Sequence, residues 1–290
     1  MTAEGSGPPA ADPLASWENT LTYPHIAALR VSALAALLAT PLAASAQTND
    51  PAAPFLGTWS GVFTTQDNEF WRIEDYACFP GCSPAMRNHL IALLDDPAND
   101  EKPFDALLGE SVGFAAGQLA AILTPLGRQI QQANTFENDP KLRCEPYGFV
   151  REVTSALPMI IRRDGEHLLI HYEEWSLLRT IYMDGREHPE YETPTLLGHS
   201  VGRIEDGVLI VETARVNPGW ISDYTQGGHS AELTGVERYT VRDNPRRLEL
   251  TLTIEDPVTL TEPYVLEKTW LYTPDVELVE DRCGDLPGKF

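Results

Sequence analysis

The chain uses one three-residue word twice, Gly-His-Ser, at Gly198-His199-Ser200 and again at Gly228-His229-Ser230. Imidazole ionises nearest to neutral pH of all side chains, so two such corners could supply the giving and the taking halves of a proton transfer. Each word leads into a strand-like run, which puts His199 and His229 at the loop end of a sheet, where binding groups collect. The charged candidates around them are Asp184, Arg186 and His188 in DGREH, then Arg203, Glu237 and Arg238. A guanidinium could hold a carboxylate, phenolate or developing enolate, and a carboxylate beside a histidine would orient it and raise its basicity. That set is sufficient for acid-base chemistry of the lyase, hydratase or isomerase kind with no cofactor. The competing reading assigns the same residues to turns and surface ion pairs. For Asp184, which precedes Gly185, a turn is the first expectation. Glu237 and Arg238 are adjacent, so on a strand at most one of them faces an interior.

Other chemistries find little support. His188, His199 and His229 show no helix-spaced pair and no His-x-His, so no metal site is expected. His167, His171 and Glu173 share one strand face, but the alternate residues Leu168, Ile170 and Tyr172 form the apolar side and leave the polar one to water. No Gly-x-Ser-x-Gly word and no glycine-rich phosphate loop occurs. The aromatic and cationic side chains Tyr182, Trp220, Arg238, Tyr239, Tyr264 and Trp270 are the candidates to line a site for a small hydrophobic or aromatic compound.

The elements that must position these groups are strands. From Ala156 onward the apolar pattern has period two, clearest where Leu248, Leu250, Leu252 and Ile254 alternate with Glu249, Thr251, Thr253 and Glu255. Asp164-Gly165, Asp184-Gly185 and Asp206-Gly207 mark tight turns between the runs. Runs at 57–63, 159–163, 167–174, 177–183, 200–204, 208–213, 233–241, 248–254, 265–272 and 277–280 make about nine or ten strands. The expected fold is mainly β, an antiparallel barrel whose closure removes exposed edges, with a two-sheet sandwich as the alternative. Between the first strand and the rest, helical spacing over 84–136 predicts an insertion of two or three helices, broken at Pro125.

Composition bounds the setting. A net charge of −22 over 290 residues excludes a polyanionic partner, because nucleic-acid binding draws on clustered Lys and Arg. Residues Ala27 to Gln47 carry one arginine, a short apolar run and Ala44-Ser45-Ala46, the pattern of an export signal and its cleavage site. Residues 1–46 are therefore expected to be an extension and signal peptide, and 47–290 a single domain, periplasmic or secreted, with no membrane span after processing. Export makes Cys78, Cys82, Cys144 and Cys283 candidates for disulfides, and four cysteines allow three connectivities. Cys78 and Cys82 flank Phe79-Pro80-Gly81, a turn able to bring their sulfurs together, and Cys144 with Cys283 would close the β region.

Five segments carry a resemblance: IYMDGREHP (181–189), GHSVGRIEDGVLIVET (198–213), GHSAELTGVERY (228–239), LTIEDP (252–257) and the closing Cys283. With Gly57-x-Trp59 as a start, the chain resembles a group of uncharacterised exported bacterial proteins with a lipocalin-like, or calycin-like, barrel. Ile204 stands where that group has Trp. The resemblance implies the barrel architecture far more than a function. It leaves two readings open, a cofactor-independent acid-base enzyme and a non-catalytic carrier of an apolar ligand.

Overall fold

The alternation in the C-terminal half is realised as a ring of nine strands in a computed structural model that describes residues 50–61, 78, 81–190, 193–222 and 224–279. The expected signal segment, Val62, Phe63, Glu280 and Cys283 lie outside the described residues. Numbered along the chain, the strands are β1 (Gly57–Ser60), β2 (Met159–Asp164), β3 (His167–Tyr172), β4 (Leu178–Tyr182), β5 (His199–Glu205), β6 (Val208–Ala214), β7 (Gly219–Trp220), β8 (Gly228–His229), β9 (Thr234–Arg242), β10 (Arg247–Glu255) and β11 (Tyr264–Tyr272). All but β7 and β8 close the barrel in the order β1-β11-β10-β9-β6-β5-β4-β3-β2, while β7 and β8 form a separate two-stranded ladder. Residues 277–279, expected to be in a strand, are in none.

A purely antiparallel barrel was the expectation, and the ring is mixed instead. The reason is parity: an odd number of strands cannot alternate direction all the way round, so one neighbouring pair must run the same way. That pair is β4 and β5, joined by the long connection 183–198 that a parallel pair requires. Their ladder has two register partners, Ile181↔Ser200 and Tyr182↔Val201. Eight pairs join β10 to β11. The ring therefore has a narrow seam at β4–β5, and a second short contact where β1 meets β11 through two register partners.

Two of the three Asp-Gly words make hairpins. Gly165 (φ 59°) turns β2 into β3, and Asp206 with Gly207 (φ 50° and 77°) forms the two-residue loop with both residues at positive φ that matches strand twist between β5 and β6. The third, Asp184-Gly185, opens the crossover.

Register fixes which side chains point inward, because paired residues share a face. Trp59, Met159, Ile161, Leu168, Ile170, Ile181, Leu209, Val211, Tyr239, Leu248, Leu252, Leu266 and Trp270 form one inward set, and each is at most 1 % exposed. Side chains so completely covered touch no void large enough for water, so the barrel axis at these levels is packed solid. The turn 53–55 leads into β1, and its Phe55 joins the core and accepts the Trp59 indole N–H on its carbonyl at 2.8 Å.

Among the described residues, four α-helices precede β2 in chain order: α1 (Pro84–Leu94), α2 (Phe104–Ile122), α3 (Pro125–Ala133) and α4 (Phe149–Val153). Ser83 caps α1 and Thr124 caps α3, each hydroxyl accepting an amide of the first turn. Pro125 occupies the first turn of α3, where its missing N–H costs nothing, so it separates two helices instead of kinking one. Leu119 and Leu123 reach the barrel core, and the β10–β11 loop is tied to the helices by Thr124 N–H to Thr259 O and Thr261 N–H to Ile122 O. Phe149, Val150 and Val153 of α4 are buried in the same core. Cys78 and Cys82 form a disulfide with Cα atoms 4.4 Å apart. Cys144 is also disulfide-bonded. No helix among the described residues is long and apolar enough to cross a membrane.

Candidate functional site

A pocket of about 350 Å³ opens at the seam. It is lined by Leu177 to Thr180 and Tyr182 from β4 and its lead-in, by Thr193 and Thr195–Ser200 from the crossover and β5, and by Arg215 after β6. The location follows from the fold. β4 meets β5 only from Ile181 onward, so the beginning of β4 has no neighbour there and the crossover skirts the gap. Leu177, Leu178, Leu196 and Leu197 supply apolar wall, while His199, Arg215 and three threonines supply polar groups.

The crossover is pinned where it enters β5. Gly198 has φ 70°, and a Cβ there would stand 2.5 Å from the Ala214 carbonyl oxygen, so only glycine fits both the backbone and the close approach. The next residue, His199, faces outward, and its Nδ1 lies 2.9 Å from Nδ1 of His188. In that bond one ring carries the Nδ1 proton and the other does not. The neutral pair thus holds one unprotonated and one protonated Nε2, a base and an acid linked by one movable proton. Burial, then the neighbouring His199, push the His188 ionisation below that of a free imidazole. Tyr182 stacks on His199, with centroids 4.9 Å apart and 22° between planes. Arg186 lies over the Tyr182 ring at 3.8 Å, and His167 meets it edge-on. Asp184 grips Arg186 through both oxygens, which holds its carboxyl down at about 2. So Asp184, Arg186, His188, His199 and Tyr182 are brought into one cluster, on the outer face of the seam instead of over a barrel mouth.

The other expected site residues lie elsewhere. His229 belongs to β8 and is buried, with Nδ1 3.0 Å from the Ser230 carbonyl, and it does not line the pocket. Burial lowers its pKa, against the opposing pull of that carbonyl and of Asp256. Ser230 is occupied with Asp256, to which it donates both its amide, at 2.6 Å, and its hydroxyl, at 2.9 Å. The second Gly-His-Ser word therefore ties a loop to the β10–β11 turn, and the two words do not face one cavity. Arg203 pairs with Glu205 and Glu212 on the outer surface. Arg238 is exposed. Tyr239, Tyr264 and Trp270 are inward core residues, and Trp220 lies in the β7–β8 ladder under the Arg151 guanidinium.

Glu237 does face inward, and its partner is one that spacing does not indicate, Arg179. The two form a buried bidentate pair with Nη1···Oε2 2.8 Å and Nη2···Oε1 2.5 Å. Arg179 also donates to Tyr172, Ser200 and Thr213, and Tyr239 donates to Glu237 at 2.7 Å. All five guanidinium N–H groups are engaged, so Arg179 is a structural cation and not an anion hook, although it borders the pocket. Burial raises the phenols of Tyr172 and Tyr239, which keeps both as donors or neutral partners. No group of three or more His, Cys, Asp or Glu with metal-binding geometry occurs among the described residues. No family model, curated protein or solved structure matches the chain.

Proposed function

We propose that the protein is an extracytoplasmic small-molecule barrel of lipocalin-like character, with its helices as an insertion. In this reading it is a cofactor-independent acid-base enzyme, of the lyase, hydratase or isomerase kind, acting on a small hydrophobic or aromatic compound. The observation that carries this is the His188–His199 hydrogen bond on the rim of an occupiable pocket. A ligand would lay its apolar part on the leucines while His199 exchanges a proton with it, His188 supplying or storing that proton through the shared bond. A carrier needs apolar walls alone, and the solid barrel axis argues against carriage in a central calyx.

The experiment is native mass spectrometry of protein purified from its own host, followed by incubation of any released compound with wild type and with His199→Gln. Conversion by wild type, with binding but no conversion by the variant, supports the enzyme. Unchanged compound after wild-type incubation, or equal conversion by both, removes this reading and leaves the carrier.

A further inference from the structure

The geometry points to Arg215 as the anchor for a carboxylate, which makes the ligand of the seam pocket a small amphipathic monocarboxylic acid. The inference deepens the proposed reading of this pocket and rests on ligand entry there, not on turnover.

Arg215 lines the pocket and is half-buried. Its guanidinium is held by two neutral acceptors, Nε to the Pro189 carbonyl at 3.2 Å and Nη2 to the Glu190 carbonyl at 2.6 Å. Those bonds fix the plane of the group and leave Nη1 without a partner among the described residues. No carboxylate pairs with it there, a trait shared with Arg128 and Arg246, which also donate to backbone carbonyls, but of these three Arg215 alone lines the pocket. In a chain of net charge −22, an arginine oriented by carbonyls beside a pocket, with no carboxylate on it among the described residues, is set to receive an anion. The backbone agrees. Arg215 has φ 61°, a left-handed conformation uncommon for a long side chain, and it is held by Thr195 N–H to Arg215 O at 3.0 Å and Asn217 N–H to Thr195 O at 2.8 Å. The same pairing places the Thr195 segment against Arg215 on the pocket wall. The rest of the lining selects the ligand's other end: Leu177, Leu196 and Leu197 are joined by Leu178, which is 55 % exposed at the edge of the pocket. A carboxylate on Arg215 and an aryl or branched alkyl body on these leucines satisfies both.

The test uses calorimetry with phenylacetate and its neutral isostere phenylacetamide on the folded protein. Phenylacetate is expected to bind at least 10-fold more tightly than the amide, with an affinity that falls as salt rises. Arg215→Gln and Arg215→Asn, the second suited to a left-handed backbone, should each lose at least 10-fold for the acid and little for the amide. Arg203→Gln, which removes an arginine paired with Glu205 and Glu212 outside the pocket lining, should bind phenylacetate within about 3-fold of wild type, and since binding is read without turnover, a failure here leaves the catalytic reading standing. Equal affinity for acid and amide, no binding of phenylacetate at millimolar concentration, or unchanged binding by both folded Arg215 variants would overturn it.

Discussion

Arg179 and Glu237 show what a buried ion pair asks of its surroundings. Each is covered, so leaving either alone strands a charge or an acceptor in the core, and the cost of breaking such a pair is about 3–5 kcal/mol. Arg179→Met should therefore lower unfolding free energy by about that much in urea titration. The double variant Arg179→Met with Glu237→Leu should recover a large part of the loss, since two apolar side chains need no partner. Additive losses would show that the hydrogen-bonded tyrosines and threonine, not the pair, carry the stability. Asp256 and His229 make a pH prediction at the same scale. Burial opposes the Asp256 charge, but the amides of Ser230 and Val258 and the hydroxyls of Ser230 and Thr259 outweigh it and hold its pKa below the ordinary value. Its stabilisation is present above the unfolded pKa of about 3.9 and is lost as pH falls through the lower folded value. His229 also has a lowered pKa, so it favours the folded state above about 6.5 and ceases to do so as pH falls toward its folded value. Unfolding titrations from pH 7 to 3 should show a flatter profile below pH 6.5 in His229→Leu and below about pH 4 in Asp256→Asn. A slope identical to wild type in either variant would remove that group from the account. Residue roles were hard to read in advance because Arg179 inverts the usual phase. In LRTIY it is Arg179 and Ile181 that point inward while Leu178 faces water, and only the neighbouring strand's register reveals it.

The helices carry a second test, because α2 is glycine-rich where nothing demands glycine. Gly109, Gly113 and Gly117 lie on its exposed face, and a Cβ at each would meet no atom within 4 Å. Alanine there should stabilise by about 0.4–1 kcal/mol per site through unfolded-state entropy and helix propensity. Thermal melts followed by circular dichroism would show the gain, and a loss at any site would mean that this face is covered by something. Gly198→Ala is the opposite case. Its positive φ and the Ala214 carbonyl forbid a side chain, so this variant should lose stability and disturb His199. Strand positions were readable because alternation and Asp-Gly turns are local properties of the chain. The direction of β5 was not, since nothing in 183–198 says whether the crossover returns parallel or antiparallel. Arg215 is not legible in the sequence for a related reason: a left-handed arginine carries no residue-type signal, unlike the glycine at 198.

At the scale of the whole barrel, parity dictates a weak place that is also the useful one. Nine strands force one parallel contact, that contact is short, and the pocket occupies the gap that it leaves. Cooperative opening should begin where few ladder bonds must break, at β4–β5 and at the equally short β1–β11 contact. Amide hydrogens of 178–182 and 199–201 are therefore expected to exchange before those of β10, which eight register partners join to β11 and nine to β9. A ligand that binds only the closed seam would slow this exchange by mass action, and by more at higher concentration, while leaving β9–β11 unchanged. Hydrogen-exchange mass spectrometry with and without phenylacetate reads both effects. Uniform protection around the ring would mean that the parallel contact is not a weak place, and ligand protection spread evenly over all strands would place binding outside the seam.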